Sequence, residues 1–480
     1  NKIKRTLNSK MPFLKPEEYW VDEEAKNANT VDNINFQLVP EGSMGPLVFG
    51  LTGQRYLKVR ENILPEFSQC VISYKHNDPF PTNGFYPQSK GIESFINKLK
   101  TLKARRKKMA RVWNFSAGPS CLPEEVLKEC AAEMMDYNGT GQSVMEMSHR
   151  SSAYEPIIQD AEAMIRKLMN VPENYKILFV QGGGSTQFAM VAQNLGIKTG
   201  KAAYIETGVW AKKAAQEAAK LGVEVTTIAS SKDKNYSYIP KVEKIEGDYD
   251  YAYICLNNTI MGTHYEYLPE TGDIPLVADI SSCVLSEPLD VSKFGLLFAG
   301  AQKNLAPAGV TLVIIREDLI TDTPRKDTPT MLMYKTHAEN DSMYNTPPCY
   351  TIYVLGKVLH WIEKNGGAEG MLKRNQEKAD YLYNYLDNSD FYRATAEKGS
   401  RSLMNVPFLT KYSTGAEDEE SVAKEKAINS KFVKEAEAAG FMNLKGHRLV
   451  GGMRASIYNA MSLEGVKALV DFMDKFAKEN

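Results

Sequence analysis

From residue 175 onward, short apolar runs alternate with amphipathic stretches, and this alternation carries most of the structural information in the chain. KILFV (Lys176 to Val180), AAYIE, VEVTTIA and YAYICL, followed by Pro275 to Ile280, Phe294 to Ala299 and Val310 to Ile315, read as strands buried on both faces. Helical periodicity lies between several of them, from QGGGSTQF through Leu195 and from Val209 to Leu221. Two helices come earlier. One starts at Pro123 and runs through Tyr137 with Val126, Leu127, Cys130, Ala131 and Met134 on one face. The other spans Glu155 to Met169 and buries Ile157, Ile158, Ala161, Ile165 and Leu168. Repeated strand and helix units of this kind predict an α/β fold with a mostly parallel sheet covered on both faces. In such sheets ligands sit beyond the carboxyl ends of the strands.

After NTPPCY the pattern changes. Helices from Tyr350 to Lys364 and from Ala368 to Leu386 lead into the strand SLMNVPFL. An acidic loop (Ser413 to Glu420), a helix from Ser430 to Ala439, the segment KGHRLVGGMRASIYNAM and a final helix from Ser462 to Lys478 follow. This part reads as a smaller α+β domain. The expected division is an N-terminal extension over 1–108, a large domain over 109–365 and a small C-terminal domain over 366–480. The extension has few periodic segments, many turn signals, one short amphipathic stretch (Ile92 to Leu102) and a basic run from Lys98 to Arg111. Such a run can bind nucleic acid or an anionic surface, but it lacks the interleaved aromatics of a single-strand binder, and a solvated linker is the favoured reading. Met109 opens a segment that reads like a protein beginning afresh, and the extension receives no assigned role.

A chain of 480 residues exceeds one ordinary core, and 43% hydrophobic with 24% charged residues is a globular composition. No apolar run is long enough to cross a bilayer and no secretory leader opens the chain, so a cytoplasmic protein is expected. Its six cysteines are scattered without a CxxC pair, which argues for reduced packing thiols rather than a zinc site or a disulfide framework. The net charge of −1 divides unevenly: 18 Lys+Arg against 11 Asp+Glu in residues 1–108 leaves 40 against 48 in the remainder.

Candidate chemistry concentrates at strand ends. Asp279 closes one predicted strand and Lys303 follows the next, and in an apolar sheet each needs a charged partner or a ligand. A desolvated lysine suits a Schiff-base nucleophile, and a companion aspartate suits a pyridinium nitrogen. By itself the stretch is equally compatible with a structural Asp–Lys ion pair. Gly182 to Thr186 form a strand-to-helix turn whose bare N–H groups and Ser185 and Thr186 hydroxyls make an anion cradle, though tight turns also require glycine sterically. His149 with Arg150 is a surface pair or an anion grip. His447, Arg448 and Arg454 in GHRLVGGMRAS form a cation cluster that calls for an anionic ligand.

With these motifs in place, the chain from Met109 to its end resembles the phosphoserine aminotransferase family, which belongs to the class V, fold-type I enzymes that use pyridoxal 5′-phosphate (PLP). NFSAGPSCLPEEVL, SHRSSAY, GGGSTQF, NNTIMGT, VADISS, AGAQKN, NTPP and GHRLVGGMRASIYNAM occur in the family's order. The resemblance implies that Lys303 holds PLP as an imine and shuttles the substrate proton, and that Asp279 pairs with the pyridine nitrogen. Trp210 would stack on the ring and Thr259 would bond its phenolic oxygen. Gly184, Ser185 and Gln302 would bind the cofactor phosphate, with Asn345 and Thr346 supplied by a second subunit, so that a homodimer is required. Arg454 would fix the substrate α-carboxylate. His149 and Arg150 from the partner, with His447 and Arg448, would surround the substrate phosphate or the glutamate side chain. The implied reaction transfers the amino group of L-glutamate to 3-phosphohydroxypyruvate, giving O-phospho-L-serine and 2-oxoglutarate by a ping-pong route in serine and possible pyridoxine biosynthesis. Members that carry an arginine after the three glycines differ from this chain, which has Ser185 and Thr186 there. The rivals are another PLP enzyme of this fold, such as an alanine–glyoxylate aminotransferase or a cysteine desulfurase, and an anionic-surface binder acting through the extension.

Overall fold

A computed structural model describes residues 111–480, together with the backbone of three short strands before them at 47–48, 56–59 and 70–73. The expected helix from Ile92 to Leu102 lies outside the described residues, as does all of the basic run except Arg111. The chain divides into two compact units, 1–111 and 112–480. In the first, β1 (Leu47–Val48) and β2 (Tyr56–Val59) flank β3 (Cys70–Ser73), with β1 parallel to β3 and β2 antiparallel to it.

The second unit begins with β4 (Trp113–Asn114), α1 (Glu124–Ala132) and α2 (Glu155–Leu168). Then come β5 (Tyr175–Val180), α3 (Gly183–Leu195), β6 (Lys201–Glu206), α4 (Val209–Lys220), β7 (Glu224–Ser230) and β8 (Tyr251–Cys255). A small hairpin of β9 (Asn257–Asn258) and β10 (Thr263–His264) precedes β11 (Leu276–Asp279), β12 (Leu296–Gly300) and β13 (Thr311–Arg316). Seven of these strands make one sheet in the order β5-β13-β12-β11-β8-β6-β7. β13 runs antiparallel to both its neighbours, and the other pairs are parallel. The mostly parallel sheet expected from the alternation is therefore present.

Its strands β8, β11, β12 and β13 are apolar at nearly every position because both faces are covered. Along β5, Ile177 and Phe179 enter one hydrophobic cluster while Leu178 and Val180 enter the other. β13 divides likewise, with Leu312 and Ile314 on one side and Val313 and Ile315 on the other. α2 and α6 (Cys349–Lys364) fill the first face, with the short α5 (Tyr334–Ala338) lying before α6 in the chain, and α3 and α4 fill the second. The period of two along a strand decides which face a residue serves, and the width of the α2 apolar stripe follows the 3.6-residue period.

The remaining elements are α7 (Gly367–Asp387), β14 (Tyr392–Ala394), β15 (Asn405–Thr410), α8 (Glu419–Ala438), β16 (Phe441–Met442), β17 (Met453–Ser456) and α9 (Leu463–Glu479). They build a third hydrophobic cluster around Phe408, Phe432, Met453 and Phe476. Phe115 is buried in this cluster, and β4 pairs with β16, so the chain reaches across to these late elements as soon as the second unit begins.

Two element lengths differ from expectation. α1 ends at Ala132 rather than continuing through Tyr137, since Asn138, Gly139 and Gly141 turn the chain through positive φ and Asp136 accepts the Gly141 N–H at 2.7 Å; Leu127, expected on the buried face, is exposed. α8 starts eleven residues earlier than the sequence pattern suggests. Asp418 accepts the Ser421 N–H at 2.8 Å as an N-cap, and Glu419 and Glu420 favour the positive helix end, so acidic residues that read as a loop instead begin a helix.

α7 also carries a buried amine. Lys378 donates to the carbonyls of Ile457 (2.9 Å), Tyr458 (2.8 Å) and Met461 (3.0 Å), pinning the turn after β17. Its neighbour Asn375 bonds Asn459, whose backbone N–H donates to Asn304 next to Lys303. Burial pushes the Lys378 amine down to about 7. A folded-state value below that of the unfolded chain means that the unfolded state holds the extra proton through the window from about 7 to about 10.5, so the contribution of Lys378 to stability rises with pH there. We expect the difference in unfolding free energy between wild type and Lys378→Met, taken from denaturant titrations, to widen by roughly 2 kcal/mol from pH 7 to pH 9. A difference that stays constant across that range would show that the amine does not titrate there.

Candidate active site

The site forms where the loops after β11, β12, β8 and β6 converge with the N-terminus of α3. Asp279 is the last residue of β11, buried at the sheet end, and its Oδ1 accepts the backbone N–H of Ser281 at 2.9 Å. Among the described residues no donor bonds its Oδ2. The Ser281 hydroxyl accepts the Gly300 N–H at 3.0 Å, which ties the end of β11 to the end of β12 and fixes where the loop to Lys303 begins.

Lys303 Nζ donates to Thr259 Oγ1 at 2.7 Å, and that hydroxyl donates onward to Ser282 Oγ at 3.0 Å. Burial lowers the Lys303 pKa, the Asp279 carboxylate opposes this, and Arg454 adds to the lowering. The amine also lies 5.8 Å from the centre of the Trp210 ring. Thr259 serves the site twice, because its carbonyl accepts from Arg454 Nη1 at 3.2 Å. One residue of the loop after β8 therefore holds both the amine on the large sheet and the guanidinium on β17.

The glycine turn needs its glycines. Gly182 caps α3 at φ 97°, and a Cβ there would lie 2.1 Å from Thr186 Oγ1. A Cβ on Gly184 would point at Phe298, Ser281 Oγ and Asp279 Oδ2 (3.9 Å), so the absent side chain keeps the space beside the carboxylate open. One expectation changes here: the Thr186 hydroxyl donates to the Gly182 carbonyl at 3.0 Å, satisfying the turn rather than adding to the anion cradle. The first-turn N–H groups of α3 and Ser185 remain for an anion.

The structure brings together Asp279, Lys303, Thr259, Trp210, Gly184, Arg454 and, through the charge felt by its ring, His447. Burial lowers the His447 pKa, and Arg454, Arg448 and Lys213 lower it further. Gln302 lies at the same loop, its side chain against Gly300 and Gly118. Of the four residues expected from a second subunit, His149 and Arg150 pair with each other. Arg150 Nε donates to His149 Nε2 at 3.3 Å, and both line a cleft of ≈ 260 Å³ with Glu155, Asn340, Met343 and Tyr344. Thr346 places its carbonyl on Gln181 Nε2 at 3.0 Å, just before the glycine turn. Among the described residues no hydrogen bond or ion pair joins any of these four to Lys303 or Asp279.

Sequence reasoning missed several supports. Ser120 accounts for two of them: its hydroxyl donates to the Lys303 carbonyl, and its N–H donates to Gln302 O at 2.9 Å. A Cβ on Gly118 would sit 3.3 Å from Lys303 Cγ. Both lie in NFSAGPSC, a motif whose serine and glycine carry no chemical signature until the fold sets them against the lysine loop. Ser281 and Ser282 read as ordinary turn serines for the same reason.

These groups fit PLP. A desolvated amine, a buried carboxylate with one oxygen without a donor, a bare helix N-terminus and an indole ring are the donor set that an aromatic aldehyde phosphate requires.

Comparison with known proteins points the same way. The aminotransferase class-V family model matches residues 112–469. A phosphoserine aminotransferase from Listeria monocytogenes (strain F2365) is 54% identical over 370 residues, covering 77% of this chain and 97% of the relative. The solved phosphoserine aminotransferase of Bacillus circulans subsp. alkalophilus is 46% identical with a TM-score of 0.72, over 77% of this chain and 99% of its own. The PLP-bound phosphoserine aminotransferase of Trichomonas vaginalis is 37% identical with a TM-score of 0.71, over 76% of this chain and all of its own.

Proposed function

Because the chain belongs to the class-V aminotransferase family, we propose that it is a PLP-dependent transaminase that interconverts O-phospho-L-serine and 2-oxoglutarate with 3-phosphohydroxypyruvate and L-glutamate. The observation that carries this reading is the Lys303 amine, desolvated and held at 2.7 Å by Thr259 beside the buried Asp279 carboxylate, with Arg454 on the same threonine. Identity of 54% to a named phosphoserine aminotransferase supports the choice of substrate over that of other enzymes of the same fold.

When bound, PLP supplies a conjugated pyridinium ring into which the electron pair left at the substrate Cα delocalises. The chain supplies the rest. Lys303 Nζ, whose pKa burial lowers, takes the proton from the substrate Cα and returns it on the other half of the exchange. Thr259 orients that amine. The Asp279 carboxylate would keep a proton on the ring nitrogen through its charge. Ser185, Gln302 and the α3 N-terminus would hold the cofactor phosphate, and Trp210 would cover the ring. Arg454 grips the α-carboxylate in a two-point pair, which leaves His447 and Arg448 for the far anion. That far anion alternates between a phosphate and the glutamate side-chain carboxylate. In this reading His149, Arg150, Asn345 and Thr346 belong to the site of a second copy of the chain, in keeping with their having no hydrogen bond or ion pair to Lys303 among the described residues. Cys130, Cys255, Cys283 and Cys349 are free thiols, which suits a cytoplasmic enzyme, and among the described residues no helix is long and apolar enough to cross a membrane.

The test is a half-reaction. Adding phosphoserine or glutamate to the purified, PLP-loaded full chain should discharge the yellow absorbance, and 2-oxoglutarate should restore it. Alanine, lacking the second anion, should react about a hundredfold more slowly or worse. Equal rates with alanine and phosphoserine would overturn the substrate assignment.

A further inference from the structure

One cation near the site has no role in the reaction as described above. Lys213 lies one turn after Trp210 on α4, with its Nζ 4.9 Å from the indole ring centre. It is exposed, yet among the described residues no carboxylate pairs with it, whereas Lys220 on the same helix is paired with Glu217 at 2.9 Å. Its charge reaches His447, where it acts in the same direction as Arg448 and Arg454. Four cationic or protonatable groups, on α4 and on the segment ending in β17, thus share one region, and none of them is paired with a carboxylate of the described residues. Such a cluster repels itself until an anion fills it, and the more highly charged the anion, the larger the gain.

We propose that Lys213 is a specificity residue for this site: it makes the pocket favour a substrate with a dianionic phosphate over one with a monoanionic carboxylate. The inference rests on the phosphoserine reading of the site and deepens it. His447 and Arg448, with His149 and Arg150 of a second copy, face whichever anion is bound. Lys213 adds one more unit of positive charge, and each such unit interacts about twice as strongly with a dianion as with a monoanion at the same distance. The position of Lys213 against Trp210 supplies that cation from the helix that carries the ring-covering residue. A lysine is suited to this task, because a mobile point charge can follow the phosphate inward and withdraw when the smaller carboxylate takes its place.

The experiment compares the full-length wild type with Lys213→Met, which keeps the stem packed on Trp210, with Lys213→Gln as a second neutral variant and Lys213→Arg as the conservative one. Values of kcat/KM are measured for the phosphoserine and glutamate half-reactions. Both neutral variants are expected to lose activity with both donors, but unequally, so that the phosphoserine-to-glutamate ratio falls about tenfold. Most of the loss should be in KM for phosphoserine, and Lys213→Arg should keep the ratio within about twofold. The ring titration of His447, followed by NMR, should move upward in the neutral variants and stay in place in Lys213→Arg, since a cation facing it has gone while Arg448 and Arg454 remain. A ratio unchanged in both neutral variants, or an equal loss with both donors, overturns the role of Lys213. A wild type that fails to react with phosphoserine would instead overturn the assignment of the site, so the two failures are distinguishable.

Discussion

Lys303→Ala is expected to reduce turnover by at least about a thousandfold, the largest effect of any single substitution in the chain. The variant removes both the nucleophile and the base that serves the substrate Cα, and neither role has a substitute nearby. Thr259, the nearest polar side chain, is already bonded to Ser282 and lacks a basic nitrogen. The fold should survive, because the main chain at 302–303 is held independently by the Ser120 hydroxyl and N–H. Borohydride reduction followed by mass spectrometry should fix PLP to the wild-type peptide containing Lys303 and leave the variant peptide unmodified. Turnover within tenfold of wild type would remove Lys303 from the mechanism.

Asp279→Asn should cost about a hundredfold to a thousandfold in kcat, the size of effect that follows loss of a preorganised charge at a reacting centre. The substitution is nearly isosteric. The amide oxygen still accepts the Ser281 N–H, so the end of β11 keeps its geometry and the change is one of charge. With that charge gone, no other carboxylate acts on Lys303 or His447 in the buried pocket to hold a proton on a ring nitrogen. A loss in KM alone, with kcat retained, would mean that Asp279 only packs against the ligand.

Much of this centre is legible in the chain. β8, β11 and β12 are buried at every position, so their sequences are uninterrupted apolar runs, and a carboxylate or an amine next to such a run stands out. The glycine turn before α3 stands out for the same reason: Gly182 and Gly183 adopt positive φ, and no other residue does so at little cost. Lys213 and Lys378 are hidden by contrast. Each lies in a helix rich in lysine and glutamate, where a charged residue signals solvent, yet one faces a cluster of cations and the other is buried on three carbonyls. α8 was misjudged at its start because Asp418, Glu419 and Glu420 suit a loop and a helix N-terminus equally.

By itself the sequence determined the mostly parallel-sheet architecture and the family, and it singled out Lys303 and Asp279 as the expected amine and companion acid, because these depend on burial period and on residue types at strand ends. Only the tertiary structure decided that β13 runs against its neighbours and that Phe115 packs in the late hydrophobic cluster. It alone also shows that Thr259 joins Lys303 to Arg454, and that His149 and Arg150 line one cleft with Asn340 and Met343. The physical reason is range. Periodicity and turn chemistry act over a few residues, whereas these pairings join positions from about 40 to more than 300 residues apart, and they form only when hydrophobic burial closes the chain on itself.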